Sequence, residues 1–410
     1  MKSRDFIRSS FIYTIVGSLP YASGFLLLPW LTENLTPEQF GINALYISLM
    51  YLVQIVASFG LETAISTIYF EHKEDAGKLR AVIGTIFLGV IIIGGFTLIF
   101  FISGGFNILT YILGGKSYLN LVPFGLMTII SAIFNAIFKV YSTLLIYRQQ
   151  PIKFFTLNIT NFIVTVLATL ILLYIFPFTL YGPILGRLIP AFVSAFIVGV
   201  SLMNEYGLSW DRTVIKEIFR LTLPLFIYSF LSWIVNYIDR FLVLGILKDP
   251  TVVGVYDIAI KLVLFLDLIM AGLVSTINPH IFGIWKAENS KVSTPEINRY
   301  YSGLTAFFML MVPLFVLLAP FIVPIFIRNP IYLTAFPYIG ILSIGFLTRV
   351  WFYMFMAPIV FFKNTRSLPK VLLFSSVFEI GVGLLPIKQF GIQGMVWTFF
   401  LVKLVQAFFM

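Results

Sequence analysis

From Pro224 to Leu262 the chain reads P-L-F-I-Y-S-F-L-S-W-I-V-N-Y-I-D-R-F-L-V-L-G-I-L-K-D-P-T-V-V-G-V-Y-D-I-A-I-K-L. Two apolar helical runs meet at a very short polar turn, so the stretch is a helical hairpin of membrane character. It nevertheless carries Asp239, Arg240, Asp257 and Lys261, charges that a lipid-facing span would exclude.

The rest of the chain has the same texture. Of 410 residues, 60% are hydrophobic and 11% are charged, against about 25% charged in soluble domains. The chain is therefore an integral membrane protein. It has no cysteine, which excludes disulfides, thiolate metal sites and cysteine nucleophiles, and its two histidines, His72 and His280, are too few for a multi-histidine metal site. The net charge of +10 marks cytoplasmic loops, not nucleic-acid binding, because no basic tract interleaves with aromatics in a soluble domain. The basic N-terminus M-K-S-R-D-F-I-R leads straight into an apolar run without a small-residue cleavage site, as expected of a retained first span.

At about 20 apolar residues per crossing, twelve spans are expected. They are 9–31, 40–69, 81–104, 121–147, 154–176, 179–203, 221–247, 254–284, 301–326, 335–362, 370–387 and 392–410. With the N-terminus inside, the inside loops hold seventeen Lys and Arg and the outside loops four (Lys116, Lys248, Arg328 and Lys388). Both termini are then cytoplasmic. The short loops leave no room for a separate domain. Between Asn204 and Arg220 apolar residues from Trp210 to Phe219 mix with Arg212, Lys216 and Arg220, which suits either an interfacial amphipathic helix or a plain connector.

The hairpin has a counterpart. L-T-P-E-Q-F-G-I-N-A carries Pro37 four residues before Gly41, as L-K-D-P-T-V-V-G-V-Y carries Pro250 four before Gly254. Gly60-Leu61 and Gly272-Leu273 repeat at nearly the same offset. Two halves of six spans each enter the membrane from one side, so the repeats are parallel. The expected fold is an all-α polytopic membrane protein: a six-helix bundle over 1–205, a cytoplasmic linker over 206–220 and a second six-helix bundle over 221–410, around a central cavity. Pro37 and Pro250 suit helix starts, and Gly41 and Gly254 suit close helix packing.

A charge at the bilayer centre costs at least about 2.5–3.5 kcal/mol, so each one needs a partner or a water-filled path. The basic residues inside the spans are Lys139, Arg187, Arg240, Lys261, Arg349 and Lys403; the acidic ones are Glu62, Asp239, Asp257, Asp267 and Glu379. Asp257 and Lys261 are four apart and can pair. Lys139 and Arg187 lie near span ends, where they can snorkel. Arg349 is mid-span with no acid three or four residues away. It fits either an ion pair with Asp267 or Glu379 across helices or a cationic site in the cavity, and the two roles are compatible. Cations in a water-filled cavity attract anions, and a guanidinium matches phosphate.

The hairpin from Asp239 to Leu262 resembles the seventh-to-eighth helix region of bacterial polysaccharide transporters, a branch of the multidrug/oligosaccharidyl-lipid/polysaccharide exporter superfamily. The run L-P-W-L-T-E-N-L-T-P-E-Q-F-G-I-N-A-L-Y, with Gly60-Leu61 after it, is similar to that family's first helix pair. The resemblance implies a flippase that moves an undecaprenyl-pyrophosphate-linked oligosaccharide to the outer leaflet of the bacterial cytoplasmic membrane by alternating access, for O-antigen, capsule or exopolysaccharide. It implies membrane lipids, a polysaccharide polymerase and a chain-length regulator as partners, and no nucleic acid. Arg349, Arg187, Lys139, Lys261 and Arg240 become candidate substrate contacts. Asp267, Glu62, Glu379 and Asp239 become candidates for gating or for H⁺ or Na⁺ coupling, with no other cofactor, no metal and no catalytic residue. The family often has Thr-Arg in its first outer loop; here Thr32-Glu33 stands there. Lipid II flippases have fourteen spans, which disfavours that branch, and the ending Q-A-F-F-M, without a polar tail, is expected of a truncated sequence.

The competing expectation is a cation-coupled multidrug exporter of the same superfamily, using Glu62, Asp267 and Glu379 for ions and cationic drugs. Arg349 discriminates: it faces the cavity between the bundles in a flippase and a carboxylate inside one bundle in the exporter. An enzyme fits poorly. A polymerase needs a large outer loop, and an acyltransferase needs an embedded histidine where only His280 is near.

Overall fold

A computed structural model describes residues 13, 16–17, 19, 23–72, 74–112, 118–287, 294–362 and 367–409. The regular structure of these residues is all helical, with no strand among them. Among the described residues ten helices are long and apolar enough to cross a membrane, and Ile392–Phe408 is a shorter apolar one. The expected first span, 9–31, falls partly outside the described residues, and Lys2, Arg4, Arg8, Lys73, Lys116, Lys291, Lys363 and Arg366 of the loops lie outside them.

The helices cluster into two compact units. The first holds Asn34–Trp233 with the described residues up to Ser23; the second holds Gly24–Glu33 and the chain from Ile234 onward. The division falls inside a single helix, Arg212–Leu247.

In the first unit, after the short α1 (Leu28–Asn34), which lies mostly in the second unit, come α2 (Pro37–Ser58), α3 (Leu61–His72), α4 (Ala76–Phe100), α5 (Phe106–Ile112), α6 (Leu126–Tyr147), α7 (Pro151–Ile175), α8 (Tyr181–Tyr206) and the start of α9 (Arg212–Leu247). Pro37 opens α2 as expected. Thr36 caps it through a reciprocal box, its hydroxyl accepting from the Gln39 N–H at 3.2 Å while Gln39 Oε1 accepts from the Thr36 N–H at 3.1 Å.

The single long helix expected over 40–69 is instead broken between α2 and α3. Phe59 and Gly60 both take left-handed backbone, at φ 47° and 73°. The break is held by packing: the Phe59 ring stacks on Phe219 and Phe226 at 5.5 and 4.5 Å. A β-carbon on Gly60 would lie 3.0 Å from the Thr222 carbonyl, so the position needs glycine twice over. The break brings Glu62 into the first turn of α3.

The expected span 81–104 is longer in the structure: the apolar run from Ala76 to Tyr111 continues across a kink at Gly104, whose φ of 141° is not helical. The linker also differs from expectation. Residues 207–211 are not helical, and α9 is already helical from Arg212, so the apolar residues from Val214 to Phe219 belong to a spanning helix. Val214 and Ile218 pack into the core of the first unit with Leu61, Ile65, Val82 and Leu144.

The second unit holds the remainder of α9, then α10 (Pro250–Ala287), α11 (Pro295–Phe326), a 3₁₀ turn at Pro330–Ala335, α12 (Phe336–Phe361), α13 (Leu368–Phe390) and α14 (Ile392–Phe408). Pro250 opens α10, with the Asp249 carboxylate accepting from the Thr251 N–H at 2.8 Å. α13 and α14 pack backbone to backbone across Gly394. In lipid, where no hydrophobic force drives helices together, such close approaches and polar contacts hold a bundle. The part of the first helix that belongs to this unit is fastened by Phe25 against Phe265 and Phe326, and by Glu33 Oε2, which accepts from Arg328 Nη1 at 2.5 Å. The Glu33 that replaces the family's Arg thus meets an arginine.

Candidate functional site

The second unit gathers most of the charges. On α9, Asp239 and Arg240 are adjacent, and on α10 Asp257 and Lys261 stand one turn apart, so the hairpin brings four ionic groups face to face. Arg240 lies between the two aspartates. Its Nη1 donates to Asp239 Oδ1 at 2.7 Å and to the Asn236 carbonyl at 2.6 Å, and its Nε donates to Asp257 Oδ1 at 3.1 Å. The Tyr256 hydroxyl donates to Asp239 Oδ2 at 2.7 Å. Lys261 pairs with Asp257 at 2.8 Å, the one pairing that helical spacing alone announces. These groups are buried and mutually satisfied, which makes them affordable inside a bilayer. The Arg240 guanidinium is committed to these protein partners in this structure.

A second cluster lies on α10 and α12. Arg349 Nη1 donates to Asp267 Oδ2 at 3.0 Å, and Nη2 reaches the Tyr353 hydroxyl at 3.4 Å. The guanidinium lies over the rings of Phe346 and Tyr353. Of the two partners expected for Arg349, the structure selects Asp267 over Glu379. The pair is partly open, at 19% and 22% side-chain exposure. Asp267 Oδ1 is buried without a hydrogen-bond partner, and a narrow crevice lined by Leu266, Asp267, Met270, Phe308, Val312 and Phe346 adjoins it.

Glu379 of α13 and Lys403 of α14 complete the set. Lys403 Nζ donates to Asn236 Oδ1 at 3.4 Å and rests over the Phe399 ring. Among the described residues, no carboxylate lies within ion-pair distance of it.

In the first unit, Lys139 does not snorkel alone. It pairs with Glu62 at 3.0 Å while its side chain stays 49% exposed. Arg187 likewise turns inward, its Nη1 donating to Asn43 Oδ1 at 2.9 Å beside a crevice lined by Tyr46, Ile47, Met50, Thr128, Ser131 and Ile184.

All five expected cations therefore meet protein partners, four of them a carboxylate. Asn43, Tyr256 and Tyr353 were missed by the sequence reading. Tyr353 had a signal, four residues after Arg349 on one helix face, and Asn43 is an amide in an apolar run. Tyr256 reaches Asp239 only across the hairpin, so no local spacing announces it. Among the described residues no three His, Asp or Glu side chains gather as metal ligands would.

Comparison with known proteins places this architecture. The family model described as "polysaccharide biosynthesis protein" matches residues 6–285. No curated protein matches the chain. Among solved structures, an inward-facing multidrug resistance MATE family transporter of the MOP superfamily superposes with a TM-score of 0.80 at 15% identity, over 98% of this chain and 96% of that one. The lipid II flippase MurJ in an inward closed conformation gives 0.77 at 16% identity, over 98% and 86%. A MOP superfamily transporter from Pyrococcus furiosus gives 0.64 at 12%, over 98% and 93%. At such identities the likeness speaks for fold. The chain is a multi-pass membrane protein that belongs to the polysaccharide biosynthesis protein family and has the fold of the MOP-superfamily transporters.

Proposed function

We propose that the protein is a flippase that carries undecaprenyl-pyrophosphate-linked oligosaccharide units from the inner to the outer leaflet of the bacterial cytoplasmic membrane by alternating access, with both termini cytoplasmic, for O-antigen, capsule or exopolysaccharide synthesis. The observation that carries this reading is the family match over residues 6–285, which ties the fold to polysaccharide synthesis. The charge pattern supports it. Lys139 is half-exposed, Arg187 borders one crevice, and Asp267, the partner of Arg349, borders another. A pyrophosphate can compete with Asp267 for the Arg349 fork, because both anions accept two parallel N–H bonds. The paired state then serves as the resting form, in which a partly exposed guanidinium waits on a carboxylate until the substrate takes its place. The working partners are the lipid-linked oligosaccharide and the surrounding membrane lipids, with a polymerase and a chain-length regulator acting on the delivered units.

One observation favours the rival, a cation-coupled multidrug exporter. Arg349 sits against a carboxylate within a single unit, the placement expected of that class. The two readings part in a strain lacking its own flippase. Expression of this chain restores surface polymer and clears the lipid-linked units that accumulate at the cytoplasmic face. Gain of resistance to cationic drugs with no return of polymer would replace the flippase by the exporter.

A further inference from the structure

Glu379 is a buried carboxylate of the second unit that the ion network leaves out. It is 1% exposed, and its Oε2 has no hydrogen-bond partner. The groups that face it are Asp239 and Arg240 from α9, Tyr256 from α10 and Lys403 from α14. Asp239 already accepts from the Arg240 backbone and guanidinium and from the Tyr256 hydroxyl. It is a saturated, fixed negative charge, and Arg240 is spent on it and on Asp257. Lys403, 2% exposed, feels Glu379, Asp239, Asp267 and Arg349, yet it hydrogen-bonds to the neutral amide of Asn236.

A carboxylate and an ammonium thus lie buried on neighbouring helices, close enough to interact and not in contact. An ionised carboxylate without a donor is expensive at this burial, and a neutral carboxyl much less so. The Lys403 ammonium supplies these acids with a positive charge, the role that a bound metal cation would otherwise fill.

We propose that Glu379 is a proton-binding site and that Lys403 is its built-in cation. With the proton bound, Lys403 rests on Asn236 and the Phe399 ring, as seen. When the proton leaves to solvent, the Glu379 carboxylate draws the Lys403 ammonium away from Asn236. Proton occupancy on α13 then decides whether α14 is tied to α9 or to α13. The site takes protons and has no requirement for sodium. Its existence is independent of the cargo; only its use in coupling rests on the flippase reading.

The test uses the full chain in lipid nanodiscs and in proteoliposomes. Infrared pH-difference spectra show a protonated-carboxyl band that disappears as pH rises, and Glu379→Gln lacks it. In Lys403→Met the band persists to a pH higher by about one unit or more, because the charge that favours the carboxylate is gone. Glu379→Asp, which keeps a carboxyl, retains a titrating band if Gln at this position does not fold. Thermal unfolding of wild type is the same in sodium and in potassium, whereas Lys403→Met, with Asp239, Glu379 and Asn236 left without their ammonium, is selectively stabilised by sodium. A wild-type spectrum with no band that Glu379→Gln removes, or an unchanged titration in Lys403→Met, overturns the proposal. Flipping of a lipid-linked oligosaccharide is followed in the same preparation. A band that behaves as expected with no flipping sinks the flippase reading and leaves the site. Flipping without the band does the reverse.

Discussion

Replacing Arg349 by alanine separates a structural ion pair from a substrate contact. In the structure the guanidinium meets Asp267 at 3.0 Å, and both side chains are about one-fifth exposed. Two unit charges about 4 Å apart attract by about 4 kcal/mol at an effective dielectric of 20, and desolvation offsets much of it. Removing one partner leaves Asp267 with neither oxygen bonded, since Oδ1 already lacks a partner. The loss in stability is about 1–3 kcal/mol. The double variant Arg349→Ala/Asp267→Ala takes away the orphaned charge and returns most of that stability. Export behaves differently. A charge-assisted bond to phosphate is worth about 1.5–3 kcal/mol, so losing it slows translocation about ten- to hundredfold. The double variant does not recover export, and Arg349→Lys, which keeps charge but loses the fork, falls between. The assay is surface-polymer yield in a strain without its own flippase, normalised to membrane abundance, with unfolding followed in parallel. Wild-type polymer from Arg349→Ala, or recovery of export in the double variant, would refute a role for Arg349 beyond its pairing with Asp267.

Other outcomes follow from the same contacts. Arg240→Met uncovers Asp239 and costs about 3–5 kcal/mol in detergent-induced unfolding, and adding Asp239→Asn returns a large part of it; a single variant as stable as wild type would deny that the network holds the second unit together. Gly394→Ala puts a β-carbon 2.0 Å from the Pro386 carbonyl oxygen, so α13 and α14 must part by more than an ångström, at about 1–3 kcal/mol, read as a lower unfolding temperature. At the start of α4, the Lys78 backbone N–H, helped by the Lys78 charge, holds the Asp75 carboxyl below its ordinary 3.8. Because that pKa is depressed on folding, the cap is fully present above about pH 3.8 and is lost as pH falls through the lower folded value. Hydrogen exchange at the Lys78 amide follows the same curve and is fast at every pH in Asp75→Ala.

The apolar runs announced most helices because lipid demands about twenty apolar residues per crossing, and Pro37 and Pro250 open α2 and α10 as their missing N–H groups suggest. The break at Phe59-Gly60 was hidden, since both flanks are apolar and hydropathy does not register backbone handedness. A glycine directly after a helical run was the available signal. At the candidate site, helical spacing revealed Asp257–Lys261, and the absence of an acid near Arg349 correctly sent its partner to another helix. Glu62 with Lys139, and Arg240 between Asp239 and Asp257, depend on which helices adjoin, and no spacing along one helix carries that information. The snorkelling reading of Lys139 and Arg187 did not anticipate Glu62 and Asn43, because depth along one helix says nothing of what a neighbouring helix offers.

The central claim is that this chain moves a lipid-linked oligosaccharide. It is tested most directly with the purified protein in sealed liposomes holding a fluorescent undecaprenyl-pyrophosphate-linked oligosaccharide in the inner leaflet. The readout is the fraction that becomes accessible to a membrane-impermeant reagent outside. The account predicts a rise over protein-free liposomes that Arg349→Ala largely abolishes. Accessibility no greater than in protein-free liposomes, while the same preparation drives a cationic dye across the membrane, would contradict it.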